Sequence, residues 1–566
     1  MKNIKFEFKL IIFILLILNI SNILTAKSID KFNNTKDITN YFSGILAIND
    51  NQYQKSHNYL KPLNNLENSH YRYAQYFHYS LIALKKFKEA ANFSKELEKK
   101  KLDNFESNLI SGVYYLEDQN FDKAKIYFNK LKKKNSPGSI QNLLSTSLNS
   151  WIELRDEEDV STALSLLDSV PKRFKNIKNI QEAFVHCYFD SNQANEVFKK
   201  LTSKTNVNYS RYSFFHANYL ISKNNEKKGK EVLQTTLKLF PKNLILNQSK
   251  INLEKKKPIS AQFNCKNSAH VIAEIFFITA NALASKENYF ASNFYLNLAR
   301  YLNPKFVSYD LLYAENFYIM GQFVESKKTY NKIKQQGSIY NWHASKTIAS
   351  MLIEENKEKE ALVYLKNSFD KIKKPSVYQV FDYAEFLKNN RKFKDSIQHY
   401  SEVLNLIEKE HKLYSQALDG RGVAYERTKE WSKAEIDLLN SLRAKPNDAY
   451  VINYLAYSWI EKGTNIDKSL AMLRKANELK PNDGYITDSL GWALFKLKKY
   501  KEAKKYLELA VTYMASDPVI NDHYADVLWM NNNSLQARYY WNYVLKLKDS
   551  EKKLKEEIKQ KLLFGL

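Results

Sequence analysis

Small and large apolar positions recur along this chain with a period of 34 or 35 residues. In the segment 488–507, the small residue Gly491 is followed three positions later by Leu494, and small Ala503 is followed four positions later by Leu507. Small side chains at fixed positions let two helix backbones approach closely, and large ones fill the space between neighbouring helix pairs. The pattern therefore predicts a stack of helix pairs.

The same register can be laid along most of the chain. When a small residue of the second helix is taken as position 20, units begin near residues 37, 71, 105, 144, 210, 273, 307, 342, 377, 415, 449, 484 and 518. Position 8 was not used to set this register, and it holds Ala or Gly in eleven of the thirteen units. Proline falls at position 32 in four units, where it ends the second helix because it has no N–H to donate. Residues 244–272 do not fit the rhythm.

This pattern resembles the tetratricopeptide repeat (TPR), in which each unit is two antiparallel helices. The resemblance implies an all-α fold, a superhelical TPR solenoid of antiparallel helix pairs with an irregular joint in the middle. We expect an irregular block at 37–243, a joint or rigid insertion at 244–272, a regular block at 273–551 and a helix at 552–566. That last helix is basic and amphipathic, and we interpret it as a cap, with membrane-surface binding as the alternative.

Composition agrees with helices joined by short links. The chain has 12 Gly and 10 Pro among 566 residues, far below the roughly 12% combined share of average proteins. Sheet proteins need these residues for tight turns. No segment outside the helix pairs is long enough to hold a catalytic domain.

The first 26 residues have the form of a secretory signal peptide, followed by a linker at 27–36. Lysines flank an apolar run from Leu10 to Leu18, and Ala26 provides a small residue for cleavage. We expect export to the periplasm, with an uncleaved membrane anchor as the alternative. Export permits a disulfide. Cys187 and Cys265 are nevertheless expected to be separate buried thiols, because they are 78 residues apart and at least one whole repeat lies between them.

The formal net charge of +26 narrows the classes of partner. For an exported chain, anionic lipid, lipopolysaccharide or another acidic envelope polymer fits such a charge better than nucleic acid, which we exclude. Lysine is also spread along the polar faces of the helices, so general solvation is the simpler interpretation.

No motif in the chain predicts catalysis, a cofactor or a metal. There is no pair of histidines around a Glu, no Cys pair at zinc spacing, no phosphate-binding Gly loop and no Gly-flanked nucleophilic Ser. We therefore predict a protein that is not an enzyme.

The resemblance places positions 2, 5, 9 and 12 of each first helix on the concave groove, where TPR proteins usually bind peptides. In the last four units these positions hold acidic, amide and aromatic side chains. Aromatic residues dominate binding hot spots. The predicted peptide- or protein-binding residues are Asp419, Tyr450, Asn453, Tyr457, Tyr485, Asp488, Trp492, Phe495, Asp522, Asp526 and Trp529. Arg421 takes a normally apolar position, so we expect a structural ion pair with Glu426 or Asp437.

Segments 453–459, 488–494 and 517–523 also look like the C-terminal repeats of exported proteins from Gram-negative bacteria. That resemblance implies a scaffold or adaptor of the cell envelope whose C-terminal groove binds a protein or peptide partner. The alternative function is binding of an anionic envelope polymer or lipid by the basic surface.

Overall fold

The computed structural model describes residues 35–566 except 64–65, 133–135, 137, 158, 204–207 and 258–261. Within these ranges the regular elements are helices, and no strand occurs. The predicted signal peptide lies outside the described residues. The chain divides into two compact units, Met1–Leu365 (unit 1) and Lys366–Leu566 (unit 2).

Unit 1 begins with the helices of the predicted irregular block. They are α1 (Thr35–Asn49), α2 (Tyr53–Leu60), α3 (Tyr71–Ala83), α4 (Phe87–Lys99), α5 (Phe105–Glu117), α6 (Phe121–Leu131), α7 (Ile140–Glu153), α8 (Val160–Leu166), α9 (Lys175–Tyr188), α10 (Ala194–Thr202), α11 (Ser210–Ser222) and α12 (Glu226–Leu239). It continues with α13 (Leu244–Glu254), α14 (Ser268–Ala284), α15 (Tyr289–Leu302), α16 (Val307–Ile319), α17 (Phe323–Ile333) and α18 (Ser338–Glu354). Helix α19 (Glu358–Asp370) crosses the boundary between the units.

Unit 2 contains five further helix pairs and a last helix. They are α20 (Val377–Asn389), α21 (Phe393–Leu406), α22 (Tyr414–Arg427), α23 (Trp431–Ala444), α24 (Ala449–Glu461), α25 (Ile466–Leu479), α26 (Gly484–Lys496), α27 (Tyr500–Tyr513), α28 (Pro518–Met530), α29 (Ser534–Lys546) and α30 (Lys552–Phe564). Each pair matches one predicted unit, so the all-helical solenoid inferred from the repeat is confirmed.

Position 8 is small because it lies against the large side chain at position 24 of the same pair. A Cβ atom on Gly491 would come within 2.6 Å of Leu507 Cγ, and one on Gly112 within 2.3 Å of the Phe128 ring. His78 is a large residue at position 8, and its ring is buried. Position 24 of the same pair is the small Ser94, which leaves room for the ring and whose hydroxyl lies 2.9 Å from His78 Nε2. The two positions therefore share one volume between them.

In unit 1, early first helices pack against the later pair α14–α15. Tyr79 of α3 lies between Phe290 and Phe294 of α15, with ring centroids 4.7 and 4.6 Å away. Phe87, the first residue of the second helix α4, stacks on Tyr301 of α15 at 3.7 Å. The contacts of Tyr79 thus cover part of the surface of first helix α3 with the chain's own side chains.

The segment predicted as a joint is partly helical and packs within unit 1. Helix α13 contacts α11, α12 and α18, and Gln248 Oε1 of α13 accepts a hydrogen bond from the backbone N–H of Ile339 at 3.0 Å. Next to it, Arg211 of α11 forms a bidentate pair with fully buried Glu274 of α14, with both N–O distances 2.7 Å. The predicted block boundaries themselves stay a prediction.

The expectation of two free thiols is wrong: Cys187 and Cys265 form a disulfide, with Cα atoms 6.0 Å apart. The loop before α14 folds back onto the end of α9. Buried Phe263, two residues before Cys265, anchors this loop against Phe184 and Phe215. The separation of the two cysteines in sequence did not indicate their distance in space, because stacked helix pairs bring distant segments side by side.

None of the helices that the structure describes combines the length and the apolar character needed to cross a membrane.

Candidate functional site: the inner wall of unit 2

The inner wall is defined here as the surface formed by the first helices of the pairs in unit 2: α20, α22, α24, α26 and α28. At position 2, its apolar side chains are exposed to solvent. Tyr450 and Tyr485 are each 55% exposed and Val519 is 48% exposed. Each lies in the first turn of its helix. Two tyrosines at the same position of adjacent units form an aromatic line open to a partner.

An aromatic cluster lies deeper in the wall, between α24, α26 and α28. Trp492 is half-buried and stacks on His523, with ring centroids 3.8 Å apart, and on Phe495 at 4.8 Å. Its indole N–H donates to Glu461 Oε1 at 2.8 Å. Half-buried Tyr457 is near Glu461 and Asp488, and burial together with these carboxylates raises the pKa of its hydroxyl. These predicted site residues are partly accessible and held in place by neighbours.

Asp488 is buried and already has a partner. Both of its carboxylate oxygens lie 3.0 Å from Nδ1 of His523, the residue that also stacks on Trp492. Burial alone lowers the pKa of His523, but Asp488, with Asp522 and Asp526 nearby, raises it above its ordinary value. Asp488 therefore helps to stabilise the stack of α26 on α28.

Asp522 and Asp526 are also paired within the chain. Lys561 of α30 places its ammonium 2.8 Å from Asp522 Oδ1 and 2.8 Å from Asp526 Oδ2, and Trp541 donates a further bond to Asp526. Burial and the neighbouring Asp522 raise the pKa of Asp526 to about 6 although Lys561 opposes the shift. At this end of the predicted groove, the acidic residues are therefore already paired with Lys561 of the same chain.

Trp529 is covered as well. Its ring lies 5.5 Å from that of Trp541, and the backbone at Gly565 approaches so closely that a Cβ there would be 2.2 Å from Trp529 Cζ2. Asp488, Asp522 and Asp526 are thus paired with His523 or Lys561, and Trp529 is partly covered. That these four residues bind a partner stays a prediction.

Asp419 and Asn453 differ from these residues. No hydrogen bond or ion pair of Asp419 is found within the described residues, because the nearby lysines pair elsewhere: Lys388 with Glu385 and Lys445 with Asp448. Burial raises the pKa of Asp419 to about 6, and Lys388 and Lys445 only partly oppose this. The Oδ1 atom of Asn453 is buried and accepts no hydrogen bond from the described residues. Asp419 is therefore unpaired, and Asn453 keeps one buried acceptor without a donor.

The ion pair predicted for Arg421 is confirmed with Asp437. Nε and Nη2 of the guanidinium lie 2.7 and 2.9 Å from the two carboxylate oxygens, and Nη1 donates to Ser401 of the preceding pair at 3.0 Å. Arg421 is therefore structural, and it links two adjacent helix pairs.

Sequence reasoning missed His523 and Lys561. The available signal was the register across units. His523 is position 6 of its unit and faces position 5 of the unit before, and counting a further 34 residues from 518 makes α30 the next first helix. The register thus indicates His523, but by the same count position 6 of α30 is Glu557, so the register does not identify Lys561.

Among the described residues, no group of three or more His, Cys, Asp or Glu side chains could hold a metal ion. The inner wall offers aromatic surface, unpaired acceptors and ion pairs, which suit binding.

Residues 322–550 match the family model described as tetratricopeptide repeat. A protein described as "TPR repeat-containing protein PA4667", from Pseudomonas aeruginosa, is 28% identical over 135 residues, which is 23% of this chain and 21% of that protein. Proteins that bind other proteins through stacked helix pairs are typical of this repeat class.

Solved structures of repeat proteins are also similar to this chain, with low TM-scores. The Cut9–Hcn1 assembly gives a TM-score of 0.37 with 14% identity, covering 93% of this chain and 97% of that one. A tetratricopeptide repeat protein from Parabacteroides merdae gives 0.34 with 14% identity, covering 51% and 97%. These values are too low to support any argument about function. The register, the helix pairs and the family match agree, and residues 322–550 are identified as tetratricopeptide repeats.

Proposed function

We propose that the protein is an exported scaffold or adaptor of the bacterial cell envelope that binds a protein partner on the inner wall of unit 2. One observation carries the proposal: Tyr450 and Tyr485 stand exposed at the same position of adjacent units, on the wall that also holds unpaired Asp419 and the buried, unsatisfied Oδ1 atom of Asn453. Exposed aromatic side chains around unsatisfied polar atoms are the composition of a binding hot spot. In unit 1, by contrast, aromatic side chains of α15 pack on the first helix α3.

The test compares partner recovery by matched tyrosine variants. Full-length protein carrying Tyr450→Ser and Tyr485→Ser is used to capture partners from envelope extracts of the organism that makes it. The control is Tyr539→Ser, which removes a tyrosine of 68% exposure from the second helix α29. We expect partners to be lost from the double variant and retained by the control. Equal recovery by both would refute the inner wall as the binding surface.

Location is tested separately, because binding on this wall does not depend on it. The apolar run at 10–18 and the small residue Ala26 support export. Fractionation of cells should place the chain in the periplasm or on the membrane, and sequencing of its N-terminus should begin near Lys27. Recovery in the cytoplasm with residue 1 intact would overturn the envelope role.

The basic surface supports a second candidate, binding to anionic lipid or envelope polymer. The observation that favours it is the excess of 87 Lys and Arg over 61 Asp and Glu. Binding to such polyanions weakens steeply with salt, whereas aromatic contacts on the inner wall do not depend on it. Recovery that survives 0.5 M salt and needs Tyr450 favours the first function. Recovery that is lost with salt and indifferent to Tyr450 favours the second.

A further inference from the structure

Two carboxylates at position 5 on the inner wall of unit 2 each pair with a cation from the next first helix. The cations come from different positions, the sixth residue of α28 and the tenth residue of α30. Asp488 of α26 pairs with His523 of α28, and Asp522 of α28 pairs with Lys561 of α30. The wall therefore already binds a lysine side chain at one place, between two carboxylates.

The pairing fails in the two preceding units. Position 6 of α24, which would face Asp419, is Tyr454, and its hydroxyl donates to Glu426 at 3.0 Å. Position 6 of α26, which would face Asn453, is Ser489, and its hydroxyl donates to the backbone carbonyl of Tyr485. Asp419 therefore forms no ion pair within the described chain, and Oδ1 of Asn453 is buried without a hydrogen-bond donor.

Unsatisfied groups of this kind cost folding free energy. A buried acceptor without a donor, such as Oδ1 of Asn453, costs folding free energy, and burial raises the pKa of Asp419, so the fold disfavours its charge. Groups that destabilise the free protein and face an open surface are typical of binding sites, where a ligand completes them.

We propose that the part of the inner wall from α22 to α26 binds a basic segment of a partner protein. This rests on the proposed function and names the class of partner. A lysine or arginine side chain of the segment pairs with the carboxylate of Asp419, as Lys561 does with Asp522. A backbone N–H of the segment donates to Oδ1 of Asn453. Tyr450, exposed on the same helix as Asn453, packs on the segment beside them.

The chemistry distinguishes this wall from a surface that captures a carboxylate. The cations near Asp419 are committed to Glu385 and Asp448, so an acidic segment would meet unpaired negative charge. The ammonium group of a lysine in a basic segment would neutralise the charge of Asp419 and donate a hydrogen bond to its carboxylate. A hydrogen bond to an ionised group is stronger than one between neutral groups.

The test selects peptides on the full-length protein and then measures a thermodynamic cycle. A displayed library of random 12-residue peptides is the probe. The selected peptides are synthesised twice, with lysine and with norleucine, which keeps most of the apolar stem and removes the charge. Binding of both is measured to wild type, to Asp419→Asn and to the control Asp467→Asn, which removes an exposed carboxylate from second helix α25.

We expect selected sequences rich in lysine or arginine. Replacing the lysine of the peptide with norleucine should weaken its binding to wild type by about tenfold or more. Binding of the lysine peptide to Asp419→Asn should be weakened by the same factor. The norleucine peptide should then bind wild type and Asp419→Asn alike, and Asp467→Asn should behave as wild type. Circular dichroism checks that Asp419→Asn is folded.

The failures are distinguishable. Peptides that lose affinity with Tyr450→Ser but not with Asp419→Asn would overturn the basic class of partner and leave the inner wall as the binding surface. Peptides indifferent to Tyr450, Tyr485 and Asp419 alike would overturn both.

Discussion

Replacing Lys561 with methionine removes the cation that holds α30 against the inner wall. The side chain of Lys561 is 18% exposed, and those of Asp522 and Asp526 are 9% and 3% exposed. Removing one partner of a buried ion pair costs about 3–5 kcal/mol, because the remaining charge stays buried without compensation. Ile558 of α30 is fully buried, and the substitution does not alter it. We therefore expect α30 to detach locally from the inner wall while the rest of unit 2 stays folded.

The loss should depend on pH. Burial and mutual repulsion already raise the pKa of Asp526 to about 6 with Lys561 present, and without that cation the pair holds a proton more tightly. A folded-state pKa above the unfolded value of about 3.8 means that the folded state binds more protons, so stability rises as pH falls. We expect a loss of about 3 kcal/mol at pH 8 and about 1 kcal/mol at pH 5.

Native-state hydrogen exchange, followed by mass spectrometry on fragments of residues 552–564, reports the opening of α30 directly. The control is Lys559→Met on the same helix, whose pairing with Glu556 is exposed and worth little. Asp522→Asn added to Lys561→Met should recover part of the loss, because it removes the repulsion. Identical exchange in Lys561→Met and Lys559→Met at pH 8 would refute the reasoning.

Three further predictions concern other buried groups. Asp419→Asn should raise the free energy of unfolding by about 1–2 kcal/mol at pH 7.5 and change it little near pH 4, where the folded-state carboxyl is protonated; a lower stability in urea at pH 7.5 contradicts this. Cys187→Ser with Cys265→Ser should destabilise unit 1 by about 4 kcal/mol on the chain-entropy argument; dithiothreitol should affect only the wild type. Glu274→Gln should lower the free energy of unfolding by about 3–5 kcal/mol, because Arg211 keeps its charge. The control Glu226→Gln, which loses an exposed pair with Lys230, should not lower it. Equal urea midpoints of the two variants would contradict this prediction.

The helix pairs could be predicted because their cause is local. A small residue at position 8, such as Gly491, and a large one at position 24, such as Leu507, must share one volume in each pair. The register of these residues is visible in the sequence, and position 8 is small in eleven of the thirteen units. In the unit of His78, the small Ser94 at position 24 leaves room for the large ring at position 8.

The state of the site could not be read from the same register. Asp419, Asp488 and Asp522 look alike at position 5, but their environments depend on what the next first helix brings. Asp488 pairs with His523 and Asp522 pairs with Lys561. In the unit after Asp419, the position of His523 is held by Tyr454, whose hydroxyl donates to Glu426. Among 87 basic residues, nothing in the sequence alone singled out Lys561. The disulfide was missed for a related reason: loop 262–267 returns to α9 only in three dimensions.

The central claim is that partners bind the inner wall of unit 2, and site-specific photo-crosslinking tests it most directly. A photoreactive phenylalanine analogue is placed at Tyr450, Tyr485 or, as a control, Tyr539, in the full-length protein made by its own organism. We predict partner crosslinks from positions 450 and 485 and none from 539. Crosslinks from 539 with none from 450 or 485 would contradict the account.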